Sequence, residues 1–257
     1  MTRDYDPRLA VDGAGEPMVL VPGMDGTGQL FYRQVPLLKK SHRVATYALR
    51  DSAASMDVLV DDLARIVDAV APAGGRAVIV GESFGGALAL SFAIAYPERV
   101  SALVILNSFP YFAPQFRLHL AILALRLVPW GAMSFVRRLT AFRLHSPHTH
   151  KEELRRFIEL TKASTEEGYR NRLRALTRYD VRAQLNGITR PTLFLAADCD
   201  HLVPSVTQAR LMAERVPGAA LRILEGHGHI CLIAPDLDLA QILDEWRNTG
   251  GGSSPGS

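Results

Sequence analysis

Six short, continuously apolar runs, with helical patterns between them, limit what this chain can fold into more than any other feature. They are PMVLVP (17–22), RVATYAL (43–49), AVIVG (77–81), VSALVILN (100–107), TLFLAA (192–197) and ALRILEG (220–226). A strand with one wet face alternates apolar and polar residues, whereas a strand covered on both faces does not. Residues 57–70, DVLVDDLARIVDAV, place Val58, Leu59, Leu63, Ile66, Val67 and Val70 along one helical stripe with acids opposite. Residues 84–96, 205–216 and 236–248 carry similar patterns. Strand alternating with helix predicts an α/β fold built on a mostly parallel, doubly wound sheet. The 257 residues suffice for one large domain or for a core with an inserted unit.

The rhythm breaks between residues 108 and 190, where the text is helical throughout: FRLHLAILALRLV, EELRRFIELTKAS and EEGYRNRLRALTRY. Charge shifts with it. Residues 113–190 hold 15 Lys and Arg against six Asp and Glu, a net +9, while the rest of the chain carries −6. The expected organisation is a core of residues 1–109 and 189–249, a helical cap of residues 110–188, and a flexible tail, GGGSSPGS, at 250–257. The basic cap could make weak contact with a membrane surface or with anionic groups. No run approaches the roughly 18 uninterrupted apolar residues of a membrane span. The opening MTRDYDPRLAVDG lacks the apolar stretch of a signal peptide, and the two cysteines, Cys199 and Cys231, make no disulfide framework. The expected compartment is therefore the cytoplasm, with both thiols reduced.

The most specific motif is Gly81-Glu82-Ser83-Phe84-Gly85-Gly86, between a buried strand and a helix-like run. G-x-S-x-G in that context is the nucleophile elbow pattern. The chain must turn sharply from strand to helix, so small residues are needed where side chains would collide. The serine hydroxyl then stands at the carboxyl end of the sheet. A serine alone is a poor nucleophile and needs a base, and the base needs an orienting acid. Two later strand ends supply candidates. TLFLAA runs into Asp198-Cys199-Asp200-His201-Leu202-Val203-Pro204, and ALRILEG runs into His227-Gly228-His229-Ile230.

With these residues in place the chain resembles the α/β-hydrolase superfamily over nearly its full length. Asp200-His201-Leu202-Val203-Pro204 is similar to the D-x-x-V-P acid loop of that family, so the resemblance implies Asp200 as the acid, with Asp198 as the fallback. Gly226-His227-Gly228-His229 is similar to its G-x-G-H loop, implying His229 as the base and His227 and His201 as bystanders. A variant of the family carries the acid after the strand that follows the elbow helix. Here that position reads Asn107-Ser108, with no carboxylate.

The turn Gly23-Met24-Asp25-Gly26-Thr27-Gly28 follows the first strand, where the family usually has His-Gly-x; Pro22 stands in place of that histidine. Backbone N–H groups of Met24 and Phe84 are the expected oxyanion hole. Gly23, with Trp130 and Met133 in the cap, is expected to line the substrate site. Glu82 is expected to be a structural acid. The turn lacks G-x-x-x-x-G-K-[ST], which argues against a phosphate loop. The cluster His145-Ser146-Pro147-His148-Thr149-His150 has no acid or cysteine at ligand spacing and is expected to be a solvated loop, so no metal is expected.

The resemblance implies a serine esterase or small lipase acting on a small acyl ester, without a cofactor and without a nucleic-acid partner. A thioesterase or acyltransferase on carrier-bound acyl groups is one alternative, and a C–C bond hydrolase or lactonase using the same three residues is another. A binding module that lost its chemistry is disfavoured by the complete set of Ser83, Asp200 and His229. Enzymes of this fold with a carboxylate at the elbow are disfavoured by Ser83. Nothing in the sequence fixes the oligomeric state.

Overall fold

The structure, a computed structural model, describes residues 7–112 and 144–250. Seven strands form one sheet: β1 (Ala10–Asp12), β2 (Glu16–Val21), β3 (His42–Thr46), β4 (Ala77–Glu82), β5 (Val100–Leu106), β6 (Thr192–Ala197) and β7 (Ala220–Leu224). Their spatial order is β1-β3-β2-β4-β5-β6-β7. Only β1 runs antiparallel, at the edge against β3; all other pairs are parallel. The six expected strands are therefore present, and the seventh, AVD, is three exposed residues, too short to be marked by its pattern. Among the described residues the α-helices are α1 (Val35–Leu38), α2 (Met56–Val70), α3 (Phe84–Ala95), α4 (Lys151–Thr161), α5 (Glu166–Leu176), α6 (Ser205–Arg215) and α7 (Leu239–Asn248).

The continuous apolarity of the strands has its cause in two cores. Val19, Val21, Ala77, Ile79, Leu103, Ile105, Phe194 and Ala196 point to the face covered by α2, α3 and α6. Their strand neighbours Met18, Leu20, Val78, Val80, Val104, Leu193 and Leu195 point to the face covered by α1 and α7. Each strand thus feeds both layers with alternate residues. Helix α2 departs from its expected stripe in two places. Val58 is 40% exposed. Asp62 is buried, because Arg50 meets its carboxylate with two hydrogen bonds of 2.7 Å.

The chain leaves the sheet after β5 and re-enters it at β6. The two ends of this excursion meet: Val181 donates to the Pro110 carbonyl at 2.8 Å, and Tyr111 pairs with Asp180 as an antiparallel bridge. Helix α4 joins the core through Glu153, which accepts hydrogen bonds from Tyr32 and, at 2.7 Å, from Arg33. Among the described residues no helix is long and apolar enough to cross a membrane.

The chain steps from β2 one way to β3 and then crosses back past β2 to β4, so the carboxyl ends of β2 and β4 flank the switch point where open α/β sheets bind ligands. The close approach there depends on glycine. A Cβ on Gly85 would lie 2.2 Å from the Val21 carbonyl oxygen and 2.6 Å from that of Pro22. Both are backbone atoms that cannot swing away. Gly85→Ala is expected to lower unfolding stability by about 1–3 kcal/mol or more. Gly187→Ala, which meets nothing within 4 Å, should stay within about 0.5 kcal/mol. Urea denaturation of both variants checks the contrast, and equal effects would overturn it.

Candidate active site

Ser83 is the residue between β4 and α3, with φ 56° and ψ −119°. Positive φ is uncommon for a residue with a side chain, and it occurs where surrounding packing enforces it. Here the enforcement is visible. Ser83 N–H donates to the Leu106 carbonyl at 2.9 Å, and the Ser83 carbonyl accepts from Ser108 Oγ at 2.6 Å. Gly86 closes on Ser108, whose Cβ would stand 2.5 Å from any side chain at position 86.

The hydroxyl meets a histidine from the far end of the sequence. Nε2 of His229 lies 2.9 Å from Ser83 Oγ, and Nδ1 lies 2.7 Å from Asp200 Oδ2. Both partners of that imidazole–carboxylate pair are almost wholly buried. Asp200 is fixed in turn: Oδ1 accepts from Leu202 N–H at 2.8 Å and Val203 N–H at 2.9 Å, and Oδ2 accepts from the Ser205 hydroxyl. Burial opposes the charged forms of both groups. For Asp200, the His229 charge and these donors more than offset burial, holding its carboxyl below the usual range. For His229, the Asp200 carboxylate likewise prevails and raises the imidazole.

Asp198, the fallback acid, accepts from Gly226 N–H at 2.7 Å and so braces the turn before the histidine loop. His201 is exposed. Met24, at the expected oxyanion turn, is partly buried against the core, and Phe84 is fully buried in the first turn of α3, where N–H groups lack intrahelical partners. Gly23 lies against Glu82, whose Oε2 would be 3.2 Å from a Cβ there. Trp130 and Met133 lie outside the described residues, as do Arg117, Arg126, Arg137, Arg138 and Arg143.

Two supporting residues carry no motif. Asn107, also at positive φ (47°), stands where the family variant would have its acid. Its Nδ2 donates to the His229 carbonyl at 2.7 Å, and its Oδ1 accepts from Ala197 N–H at 2.8 Å, tying the histidine loop to the end of β6. Arg172 in α5 is fully buried. It donates to the carbonyls of Met24 (2.9 Å) and Asp25 (3.2 Å) and pairs with Asp51 at 3.1 Å, so it clamps the turn after β2. Position 26 must be glycine for this, since a Cβ would come within 2.5 Å of the guanidinium. The only sequence sign of Arg172 was its place in a basic stretch, where most arginines face water.

The loop at 145–150 is solvated only in part: Pro147, His148 and His150 are exposed as the sequence suggests, and its first two residues are not. His145 and Ser146 are buried, and His145 packs edge-on against Phe157 with ring centres 4.6 Å apart. The loop seals against the histidine loop, where Ile230 N–H donates to the Leu144 carbonyl at 2.7 Å. Cys199 and Cys231 are both free thiols.

With this geometry in hand, a family model described as alpha/beta hydrolase fold matches residues 16–234. The chain belongs to the alpha/beta hydrolase fold family. It is 28% identical to a protein named "Putative carbamate hydrolase RutD" from Azorhizobium caulinodans, over 91% of this chain and 92% of that one. A protein of the same name from Variovorax paradoxus is 30% identical over 84% of this chain and 85% of its own length. Among solved structures, a thermophilic esterase from Thermogutta terrifontis superposes with a TM-score of 0.81 at 23% identity, covering 94% of this chain and 92% of the esterase. In this alpha/beta hydrolase, as in its relatives by name, the expected chemistry is hydrolysis.

Two predictions follow from the braces and the burial. Arg172→Met leaves two carbonyls without their donor and Asp51 without its partner; it should cost about 3 kcal/mol of stability, which chemical denaturation measures. Arg172→Lys, with one point donor in place of a fork, should recover less than half of that loss. Glu82 is a pH prediction. Burial pushes its carboxyl up from 4.5 to about 7; Asp25 and Asp200 add to the rise and the His229 charge opposes it, and Cys231 shares the same enclosure. A raised acid favours folding while it stays protonated, so its contribution is complete below pH about 4.5 and is lost as pH rises through about 7. The loss amounts to about 3 kcal/mol. Denaturation curves from pH 4 to 8 should show this decline in the wild type and a flatter profile in Glu82→Gln; parallel profiles would refute it.

Proposed function

We propose that this protein is a serine hydrolase that cleaves carboxylic esters through an acyl-enzyme on Ser83. The observation that carries the proposal is the bonded series Ser83 Oγ, His229, Asp200, with separations of 2.9 and 2.7 Å. In the proposed reaction Asp200 holds the His229 tautomer that leaves Nε2 free to accept a proton. His229 takes the Ser83 proton as Oγ attacks the ester carbonyl. The resulting oxyanion is held by the N–H groups of Met24 and Phe84, and loss of one such donor would cost about 3–4 kcal/mol of transition-state stabilisation. His229 then gives its proton to the departing alcohol. Water enters, loses a proton to His229, attacks the acyl group and releases the acid, which restores Ser83. Because Arg172 fixes the Met24 and Asp25 carbonyls, it would act on this chemistry by positioning the turn.

In the same reading residues 110–188 form a cap over Ser83, with Gly23, Trp130 and Met133 lining the acyl site. The meeting of Pro110 with Val181 supports an excursion that starts and ends at one place. The preference for esters rests on the combination of the Gly-Met-Asp-Gly-Thr-Gly turn with the Gly-Glu-Ser-Phe-Gly-Gly elbow. The names of the relatives favour a second substrate class, carbamates. A carbamate carbonyl accepts the same attack, but its nitrogen lone pair makes it less electrophilic.

Hydrolysis of p-nitrophenyl esters of increasing acyl length, a p-nitrophenyl carbamate and an acyl-coenzyme A separates these substrates. Ester turnover by the wild type and a loss of roughly 10⁴-fold or more in Ser83→Ala are expected. A fluorophosphonate should add covalently to the wild type and not to Ser83→Ala. An enzyme that turns over the carbamate or thioester and no ester would refute the ester reading; absence of labelling would refute the nucleophile.

A further inference from the structure

The histidines that the Ser83 site leaves unused meet elsewhere. His148 precedes α4, His227 follows β7, and Asp236 precedes α7, so the three come from well-separated parts of the sequence. Their ligand-type atoms all lie within 4.8 Å of one another. His148 Nε2 is 2.6 Å from Asp236 Oδ1, and His227 Nε2 is 3.8 Å from Asp236 Oδ2. Each imidazole therefore presents the same nitrogen to a different oxygen of one carboxylate. The two rings stand edge-on with centres 5.0 Å apart.

We propose that His148, His227 and Asp236 form a binding site for a divalent transition-metal ion of the zinc class. The proposal goes beyond the hydrolase reading and shares no side chain with the Ser83 site.

Three observations favour an ion over a plain surface ion pair. The first is the donor set, since two imidazoles and a carboxylate suit zinc and its neighbours. With ligand bonds of about 2.1 Å, tetrahedral donors sit about 3.4 Å apart. The His227–Asp236 separation of 3.8 Å is near that value, and the 2.6 Å His148–Asp236 hydrogen bond would open by under about 1 Å to admit the ion. The second is support behind a ligand. Buried Ser146 Oγ lies 3.0 Å from His227 Nδ1 and accepts from Gly228 N–H at 3.2 Å. When that hydroxyl also accepts the Nδ1 proton, Nε2 is left with its lone pair toward Asp236, the usual way a metal-binding imidazole is oriented. The third is access: His227 is nearly buried, while His148 and Asp236 are 38% and 57% exposed, which leaves an entry path and room for water as a further ligand.

The site would staple three loops. His227 also accepts, through its carbonyl, from Cys199 N–H at 2.9 Å, and His145 pairs with Ile230 on the other side of His229. An ion at His227 therefore ties the histidine loop to the segment that enters α4. Its role in this proposal is structural, and no bond of the substrate passes through it.

The test is calorimetric titration of ZnCl2 into chelator-treated full-length protein, with Co(II) absorption as a second readout of imidazole ligation. One ion per chain, bound with a Kd of about 10 μM or tighter, is expected. Asp236→Asn and His148→Ala should weaken binding at least about tenfold, and Ser146→Ala about 10–100-fold. His150→Ala, in the same loop but outside the group, should bind as the wild type does. Because His148 and Asp236 are exposed, their variants should fold, which circular dichroism checks. Absence of saturable binding, or binding unchanged in both His148→Ala and Asp236→Asn, overturns the proposal.

Discussion

The backbone at Ser83 is the constraint on which the rest depends. A residue with a side chain is held at φ 56°, which costs on the order of 1–3 kcal/mol unless the surroundings enforce it. The enforcement comes from backbone pressed on backbone: Gly85 against the carbonyls of Val21 and Pro22, Gly81 against Gly85, and Gly86 against Ser108. These contacts lock together the ends of β2, β4 and β5. Were the turn to relax, the hydroxyl would lose its direction toward His229 and the 2.9 Å contact between them.

Around that turn, each loop of the site is held by a residue from a different element. Asn107 bonds the histidine loop to β6, Asp198 bonds the preceding turn, and Ser205 with two backbone N–H groups fixes Asp200. Arg172 reaches from α5 to the turn after β2. Buried polar groups of this kind are costly when unmatched and rigid when matched. The result is an imidazole and a carboxylate kept close in a dry place, where each stabilises the charge of the other.

Legibility in the sequence followed the range of the physical signal. Strands buried on both faces write themselves as apolar runs, and the six runs match the six strands within two residues at every end but one; RVATYAL overruns His42–Thr46 because apolar residues continue past the last ladder bond. The three-residue β1 is held by pairing with β3 and has no apolar run of its own. Ser83, Asp200 and His229 were legible because each sits in a short local pattern at a strand end. Asn107, Arg172 and the buried face of His145 were not, since an Asn, an Arg and a His acquire those places only through neighbours 70 or more residues away or through packing on another helix.

By itself, then, the sequence determined the layered sheet, the sharp turn at Ser83 and the placing of Ser83, Asp200 and His229 just past strand ends, because apolar periodicity and glycine spacing act over a few residues. Tertiary structure alone decided that Asp198 braces the turn at Gly226, that Arg172 is buried, and that His148 meets His227 and Asp236. Those outcomes depend on distances across loops that only the completed packing of the sheet and its helices fixes.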